Sequence, residues 1–222
     1  MSMSTVLITG ANRGIGLELA RQFAARGDDV IGVCRHSSPE LDATASQVVS
    51  GIDVTGEADV HTVSESLEGR SLDLLINNAG LLQDEKLGEI DFDSIRTQME
   101  INAYAPLRVV EALLPNLRSG SKVANITSRM GSIADNDSGG RYGYRASKAA
   151  LNAFGRSLAM DLEPRGIAVA QLHPGFVQTR MVNFGGFISP EEAARGLVAR
   201  IDGLSLDNTG SFWHSNGEAL PW

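Results

Sequence analysis

The segment from Thr5 to Gly27 constrains this chain more than any other stretch. Thr5-Val-Leu-Ile-Thr9 is a continuous strand-like run, of the kind found in strands buried on both faces. It gives way at once to Gly10, Gly14 and Gly16, and then to a helical pattern in which Ile15, Leu19 and Phe23 recur at every fourth position and Gly27 is a natural stop. Strand, glycine turn and helix in that order place the turn where a doubly wound α/β fold holds phosphate. Glycine allows the tight turn and a close approach of backbone to a diphosphate, and the first N–H groups of the helix favour an anion. The spacing departs from GxGxxG, and no Lys-Ser/Thr pair follows, which excludes the triphosphate P-loop. Taken alone, such a turn could also serve packing only.

The alternation continues along the chain. Further strands are expected at Asp29–Cys34, Val48–Val54, Leu72–Asn77, Lys122–Thr127 and Ile167–Leu172, with a seventh at Thr209–Trp213. Long helices are expected over Ser94–Leu117 and Tyr142–Glu163. Ser189-Pro190-Glu191-Glu192 combines an N-cap serine, proline at the first helical position and glutamate at the third, opening a helix to about Ile201. Strands alternating with helices predict a mostly parallel sheet of about seven strands, covered on both faces and wound right-handed. With no linker or repeat in view, residues 1–222 read as one α/β domain of the Rossmann type, combining dinucleotide binding and catalysis.

Composition removes several other classes. The single cysteine, Cys34, cannot close an intramolecular disulfide, and the four histidines never fall at ligand spacing, so no metal site is expected. The 27 acidic residues outnumber the 19 basic ones, giving a formal charge of -8, which repels nucleic acid and anionic membrane surfaces. The N-terminus has no basic stretch, and the chain has no apolar run of roughly 18 residues, so a cytoplasmic protein is expected. No GxSxG elbow is present, which disfavours a serine hydrolase.

Three further positions give the phosphate turn a chemistry. An acidic residue at the end of the second strand would hold the 2′-hydroxyl of an NAD ribose; this chain has Cys34-Arg35 instead. Arg35 with Arg13 could bracket a 2′-phosphate, which selects NADP(H). With three tyrosines and three lysines, a Tyr-x-x-x-Lys pair arises by accident in about one such chain in twenty-five. Tyr144 and Lys148 form that pair, on one face of a helix. A neighbouring ammonium is expected to stabilise the phenolate and lower the phenol's pKa from near 10, which makes the tyrosine a usable acid or base. Ser128, ending the fifth strand, could hold a carbonyl or hydroxyl within reach of that phenol, and Asn102 interrupts the apolar stripe of the long helix before it. Each residue taken singly has an ordinary structural explanation; the order in which they follow a phosphate turn carries the reading.

With these residues assembled, the sequence resembles the short-chain dehydrogenase/reductase family over nearly its whole length. The motifs are Thr9-Gly10-Ala11-Asn12-Arg13-Gly14-Ile15-Gly16, Asp53-Val54, Asn77-Asn78-Ala79-Gly80, Asn102, Ser128, the Tyr144/Lys148 pair, and Pro174-Gly175-Phe176-Val177-Gln178-Thr179. The resemblance implies that Asp53 contacts adenine and that Asn78, Ala79 and Gly80 line the cofactor cleft. It implies that Lys148 also bonds the nicotinamide ribose, that Tyr144 donates the proton, and that Ser128 orients the substrate oxygen. Asn102 would support a relay water, and Pro174, Gly175, Val177 and Thr179 would cover the carboxamide end. Ser128 and Tyr144 are 16 positions apart, longer than is usual in the family, so Ala134–Arg141 is expected to loop out beside the site. That stretch and the Leu-Pro-Trp ending are similar to the subgroup of C-factor signalling proteins and Sniffer-type carbonyl reductases.

The expected activity is NADPH-dependent reduction of an aldehyde or ketone to an alcohol, reversibly. The alternative is an NADP(H)-binding signalling or regulatory protein with little catalysis. Leu81–Glu89 and Arg180–Ile188 are the expected substrate walls, with Leu82, Met130, Met181, Phe184 and Phe187 as a mostly apolar lining. Relatives usually pair their long helices into homodimers or homotetramers, so either assembly is expected.

Overall fold

The computed structural model describes residues 3–222. In chain order its elements are β1 (Thr5–Thr9), α1 (Gly14–Ala25), β2 (Asp29–Val33), α2 (Pro39–Asp42), β3 (Gln47–Val49), α3 (Glu57–Ser66) and β4 (Leu72–Asn77). They continue as α4 (Phe92–Met99), α5 (Ala105–Leu113), β5 (Leu117–Ile126), α6 (Tyr142–Leu162), β6 (Ala168–His173), α7 (Pro190–Asp202) and β7 (Ser211–His214). All seven strands are parallel, in the order β3-β2-β1-β4-β5-β6-β7. The Rossmann-type α/β architecture read from the sequence is the one observed.

Alternate residues of each central strand feed two separate cores. Ile8 and Ile76 face α1 and α7 with Leu19, Phe23 and Leu197. Leu7 and Leu75 face the opposite layer with Val110, Leu113 and Leu162. That two-sided burial is why the strands read as unbroken apolar runs. Strand order reverses between β1 and β4, and the crevice at such a switch point, at the carboxyl ends of the strands, is where α/β sheets bind ligands.

Several boundaries differ from the sequence expectation. The third strand ends at Val49 instead of Val54, because Gly51 takes a positive φ of 81° and the chain turns out of the sheet. The fifth begins at Leu117, inside the expected helix. A register shift opposite Leu72 and Leu74 lets Leu117 pair before the regular ladder resumes at Lys122. The helix expected over Ser94–Leu117 is two helices joined by a widened π turn at Glu100–Tyr104. Pro106 follows that turn at the start of α5 and has no N–H to return to the preceding turn. The seventh strand starts at Ser211 because Gly210, at φ 77°, holds Thr209 outside it. The α7 start agrees with expectation: the Ser189 hydroxyl accepts from the Glu192 N–H at 3.1 Å, with Pro190 in the first turn.

Helix α6 lies against the sheet at Gly155, where a Cβ would overlap the amide of the buried Gln171 on β6. Gly155→Ala is therefore expected to destabilise the protein by about 1–3 kcal/mol, read from denaturant unfolding. A change below about 0.5 kcal/mol, the usual range for a surface site, would contradict so close a helix–sheet contact.

Candidate active site

The glycine turn is built around Thr9. Its hydroxyl accepts from the N–H groups of Asn78 at 3.0 Å and Ala79 at 3.2 Å, tying β1 to the end of β4. The Asn78 amide donates back to the carbonyls of Thr9 and Gly10 at 3.0 and 3.1 Å. Gly10 and Gly14 have φ values of 66° and 56°, conformations that side chains disfavour. A Cβ on Gly16 would run into the Gly10 carbonyl. The Asn78 side chain is thus committed to holding the loop, and the backbone beside it is what remains for a ligand.

Around this cradle, Asn12 donates through Nδ2 to the His36 carbonyl at 2.8 Å, and the Ser38 hydroxyl donates to the Asn12 carbonyl at 3.0 Å. These bonds fix the end of β2 beside the loop. Arg13 and Arg35 are both exposed there, and among the described residues neither has an ion-pair partner. Asp53 accepts from the Thr55 N–H and hydroxyl at 3.0 and 2.7 Å, bonds that lower its pKa; burial opposes them, and Arg35 adds a weaker pull in the same direction as the bonds. Ile15 packs at the edge of one core and Val54 at the edge of the other. On the far side, Val177 is buried and bridges to Ile188, and the Thr179 methyl lies 3.5 Å from where a Gly14 Cβ would be. The Pro174–Thr179 segment thus reaches back to the glycine turn. A glycine cradle with free cations at its rim fits a phosphorylated dinucleotide.

Deeper in the crevice the structure brings Asn102, Ser128, Tyr144 and Lys148 together, all buried. Asn102 sits on the π turn; its amide accepts from the Leu81 N–H and donates to the Leu81 carbonyl, both at 2.7 Å. Gly80 lies beside it, so close that a Cβ there would be 3.3 Å from Asn102 Oδ1 and 3.8 Å from Lys148 Nζ. Ser128 caps a short turn by accepting from the Met130 N–H at 3.1 Å. That turn meets α6 at Gly131, where a Cβ would stand 2.7 Å from the Lys148 carbonyl carbon. This contact brings Ser128 up to Tyr144 despite the long spacing, near enough for its hydroxyl to pull the phenol's pKa down against burial. Ala134–Arg141 does loop out beside the site. Its ends are held by Arg129 to Asp135 at 3.0 Å and by Arg141 to Asp84 at 2.5 Å.

One electrostatic expectation fails. The Lys148 ammonium donates to the Ile126 carbonyl at 2.8 Å and stands 5.9 Å from the Tyr144 ring centroid. The phenol's pKa is raised, not lowered: burial dominates, and Ser128 and Arg141 offset only part of it. Lys148 is itself pushed down to about 8 by burial. Desolvation is the leading cause in both groups, and neither owes its shift to the other.

Other residues take places that the sequence pattern does not assign. Ser147 accepts from Asn102 Nδ2 at 3.0 Å and donates to the Tyr144 carbonyl at 2.9 Å, linking the π turn to α6; its place within Tyr-x-x-Ser-Lys was the available signal. His173 and His214, distant in sequence, are neighbours across β6 and β7 with ring centroids 4.8 Å apart. Burial, aided by His214 and Arg129, holds His173 down at about 3. The expected apolar lining is only partly assembled. Leu82 and Met130 are half-buried, while Met181, Phe184 and Phe187 stand exposed, and Phe187 meets Phe176 edge-on at 5.2 Å. Tyr142 is exposed, as suits a residue without a lysine four positions on.

A family model for short chain dehydrogenases matches residues 4–185, and the chain belongs to that family. It is 43% identical over 226 residues to 1-hydroxy-2-glutathionyl-2-methyl-3-butene dehydrogenase of Rhodococcus sp. (strain AD45), covering 99% of this chain and all of the relative. It is 45% identical over 154 residues to C-signal of Myxococcus xanthus, covering 68% of this chain and 93% of the relative. The NADPH-bound carbonyl reductase from chicken fatty liver superposes with a TM-score of 0.89 at 30% identity, with full coverage of both chains. Among the described residues, no helix is long and apolar enough to cross a membrane.

Burial of Lys148 has a thermodynamic consequence. Its folded pKa of about 8 lies below the ordinary 10.5, so the folded state carries the cost of the buried charge in full below pH 8. That cost fades as pH rises towards 10.5. Lys148→Met is expected to unfold with a free energy on the order of 1–3 kcal/mol above the parent at pH 7, with the gap closing by about pH 10. Denaturant titrations at both pH values measure it; a variant less stable than the parent at pH 7 would refute the assignment.

Proposed function

We propose that the chain is an NADPH-dependent carbonyl reductase that converts aldehydes or ketones to alcohols and runs reversibly. The observation that carries the reading is the buried Tyr144 phenol, held protonated by its burial with the Ser128 hydroxyl beside it. A proton donor for carbonyl reduction has to be protonated at the working pH.

Gly10, Asn12, Arg13, Gly14, Ile15 and Gly16 would hold the diphosphate side of NADP(H), with Arg13 and Arg35 on the 2′-phosphate. Asp53 and Val54 would border the adenine, while Asn78, Ala79, Gly80, Pro174, Gly175, Val177 and Thr179 would line the remainder of the cleft. When bound, the cofactor supplies the hydride. Ser128 holds the carbonyl oxygen of the substrate, and Tyr144 gives that oxygen its proton. Lys148, titrating near 8, resupplies the phenol, and Asn102 anchors the backbone of Leu81 beside it. Nothing in this set requires a metal. The full set of proton-transfer residues weighs against a purely signalling role, which the similarity to C-signal keeps as the alternative. The Rhodococcus relative favours a second reading of the same site, oxidation of an alcohol on a larger conjugate. Assembly into a homodimer or homotetramer through α4, α5 and α6 belongs to the same proposal.

Tyr144→Phe is expected to lower kcat for carbonyl reduction by about 10²- to 10⁴-fold while NADPH binding is retained. Full turnover in a folded variant would end the proton-donor role. NADPH consumption by the parent across aldehydes, ketones and quinones separates enzyme from sensor, and an inert parent that binds NADPH tightly would favour the signalling alternative.

Replacing both Arg13 and Arg35 by alanine should weaken NADPH binding by roughly 10- to 100-fold and leave NADH nearly unaffected. Equal loss for both nucleotides, or a parent that prefers NADH, would remove the arginines from this role.

A further inference from the structure

The segment 81–89 carries a carboxylate with no part in the chemistry above. Glu85 is only 4% exposed, and it takes part in none of the ion pairs among the described residues. Neutral donors satisfy it instead. The Ser94 hydroxyl and Gln98 Nε2, both on α4, donate to Oε1 at 2.7 and 2.6 Å. The Gly143 N–H of α6 donates to Oε2 at 3.0 Å, and the Arg141 N–H donates to the Glu85 carbonyl at 3.1 Å. One side chain thus joins a substrate-side segment, α4 and the first turn of α6.

That first turn lacks a cap of its own. Arg141 precedes it in the left-handed region at φ 51°, and its side chain makes no capping bond. The opening N–H groups of a helix have no partner within it, and a carboxylate there also lies at the favourable end of the helix dipole. Here the carboxylate comes from 58 residues upstream. The fit is close: a Cβ on Gly143 would stand 2.6 Å from Gln98 Nε2 and 2.8 Å from Glu85 Oε1. Tyr144 is the next residue.

We propose that Glu85 is a positioning residue for Tyr144. By fixing where α6 begins, it fixes where the phenol meets Ser128, and it ties that placement to the segment 81–89. The inference rests on Tyr144 being the proton donor, so its test includes a readout independent of turnover.

Glu85→Gln swaps an acceptor for a donor amide facing groups that are themselves donors, and Gly143→Ala forces the clasp apart with its charge intact. In both variants, amide hydrogen exchange over residues 142–148 should speed up about tenfold or more at a temperature where circular dichroism shows a folded protein. In the same samples kcat should fall about tenfold or more, with NADPH affinity and KM within about threefold of the parent. Ser94→Ala, which removes one of the three bonds, should give a smaller effect in the same direction. It carries the same readouts should either stronger variant not fold. Exchange and kcat both within about twofold of the parent would overturn the proposal, as would a lowered melting temperature with kcat unchanged. Should Tyr144→Phe retain full turnover, the catalytic reading fails, while faster exchange would still report the clasp.

Discussion

A lysine ammonium buried without a carboxylate partner is costly to a fold, and the candidate site is arranged around one. Lys148 has one backbone carbonyl, Ile126, as its partner in the structure. Burial depresses its pKa to about 8, so near neutral pH it remains mainly charged while releasing its proton far more readily than an ordinary lysine. The same burial acts in the opposite sense on Tyr144 and keeps the phenol protonated. Burial thus raises one group and lowers the other, so that two acids that start at 10.0 and 10.5 end in the opposite order and further apart, with the lysine the stronger acid, the order that the proposed resupply of the phenol from Lys148 requires.

The fold supports this arrangement through the ends of its strands. Asn77, Asn125 and Gln171 stand in register on β4, β5 and β6 and form a hydrogen-bonded row beneath α5 and α6, at 2.9 and 3.0 Å. The two bonds of this row resist sliding of the strands, since a slip would break them and add to the polar atoms already without a partner at its ends, Asn77 Oδ1 and Gln171 Nε2. Ile126, whose carbonyl receives Lys148, follows Asn125 directly. The row therefore holds the acceptor of the Lys148 ammonium at a fixed height, and the close contact of Gly131 with the Lys148 backbone holds the helix against it.

Much of this was legible in the sequence because it depends on local patterns. Two-sided burial writes itself as unbroken apolar runs, and the glycine turn and the Tyr144/Lys148 spacing each lie within one short segment. What escaped reading depends on distant partners. The π turn under Asn102 looks like ordinary helix until Pro106 is considered three dimensionally, and the early start of β5 at Leu117 follows from a register shift on β4. The His173–His214 contact exists only because β6 and β7 pair. The direction of the Tyr144 shift is not legible in the spacing, because spacing on a helix face specifies neighbours and says nothing of the burial that dominates here.

Glu85 illustrates the same limit from the other side. In the sequence it is one acidic residue in a polar stretch, Gln83-Asp84-Glu85-Lys86, with nothing to distinguish it from Asp84 beside it. In the fold Asp84 pairs at the surface with Arg141, while Glu85 turns inward to cap α6. The two carboxylates grip consecutive features of the same helix start, one through the side chain of Arg141 and one through the backbone of Gly143. A surface pair of that kind contributes little by itself, whereas a buried carboxylate that loses its donors leaves an unpaired charge. The start of α6 is consequently governed by the inner of the two, and a residue that sequence pattern cannot single out comes to hold the backbone of Gly143, the residue next to the proposed proton donor.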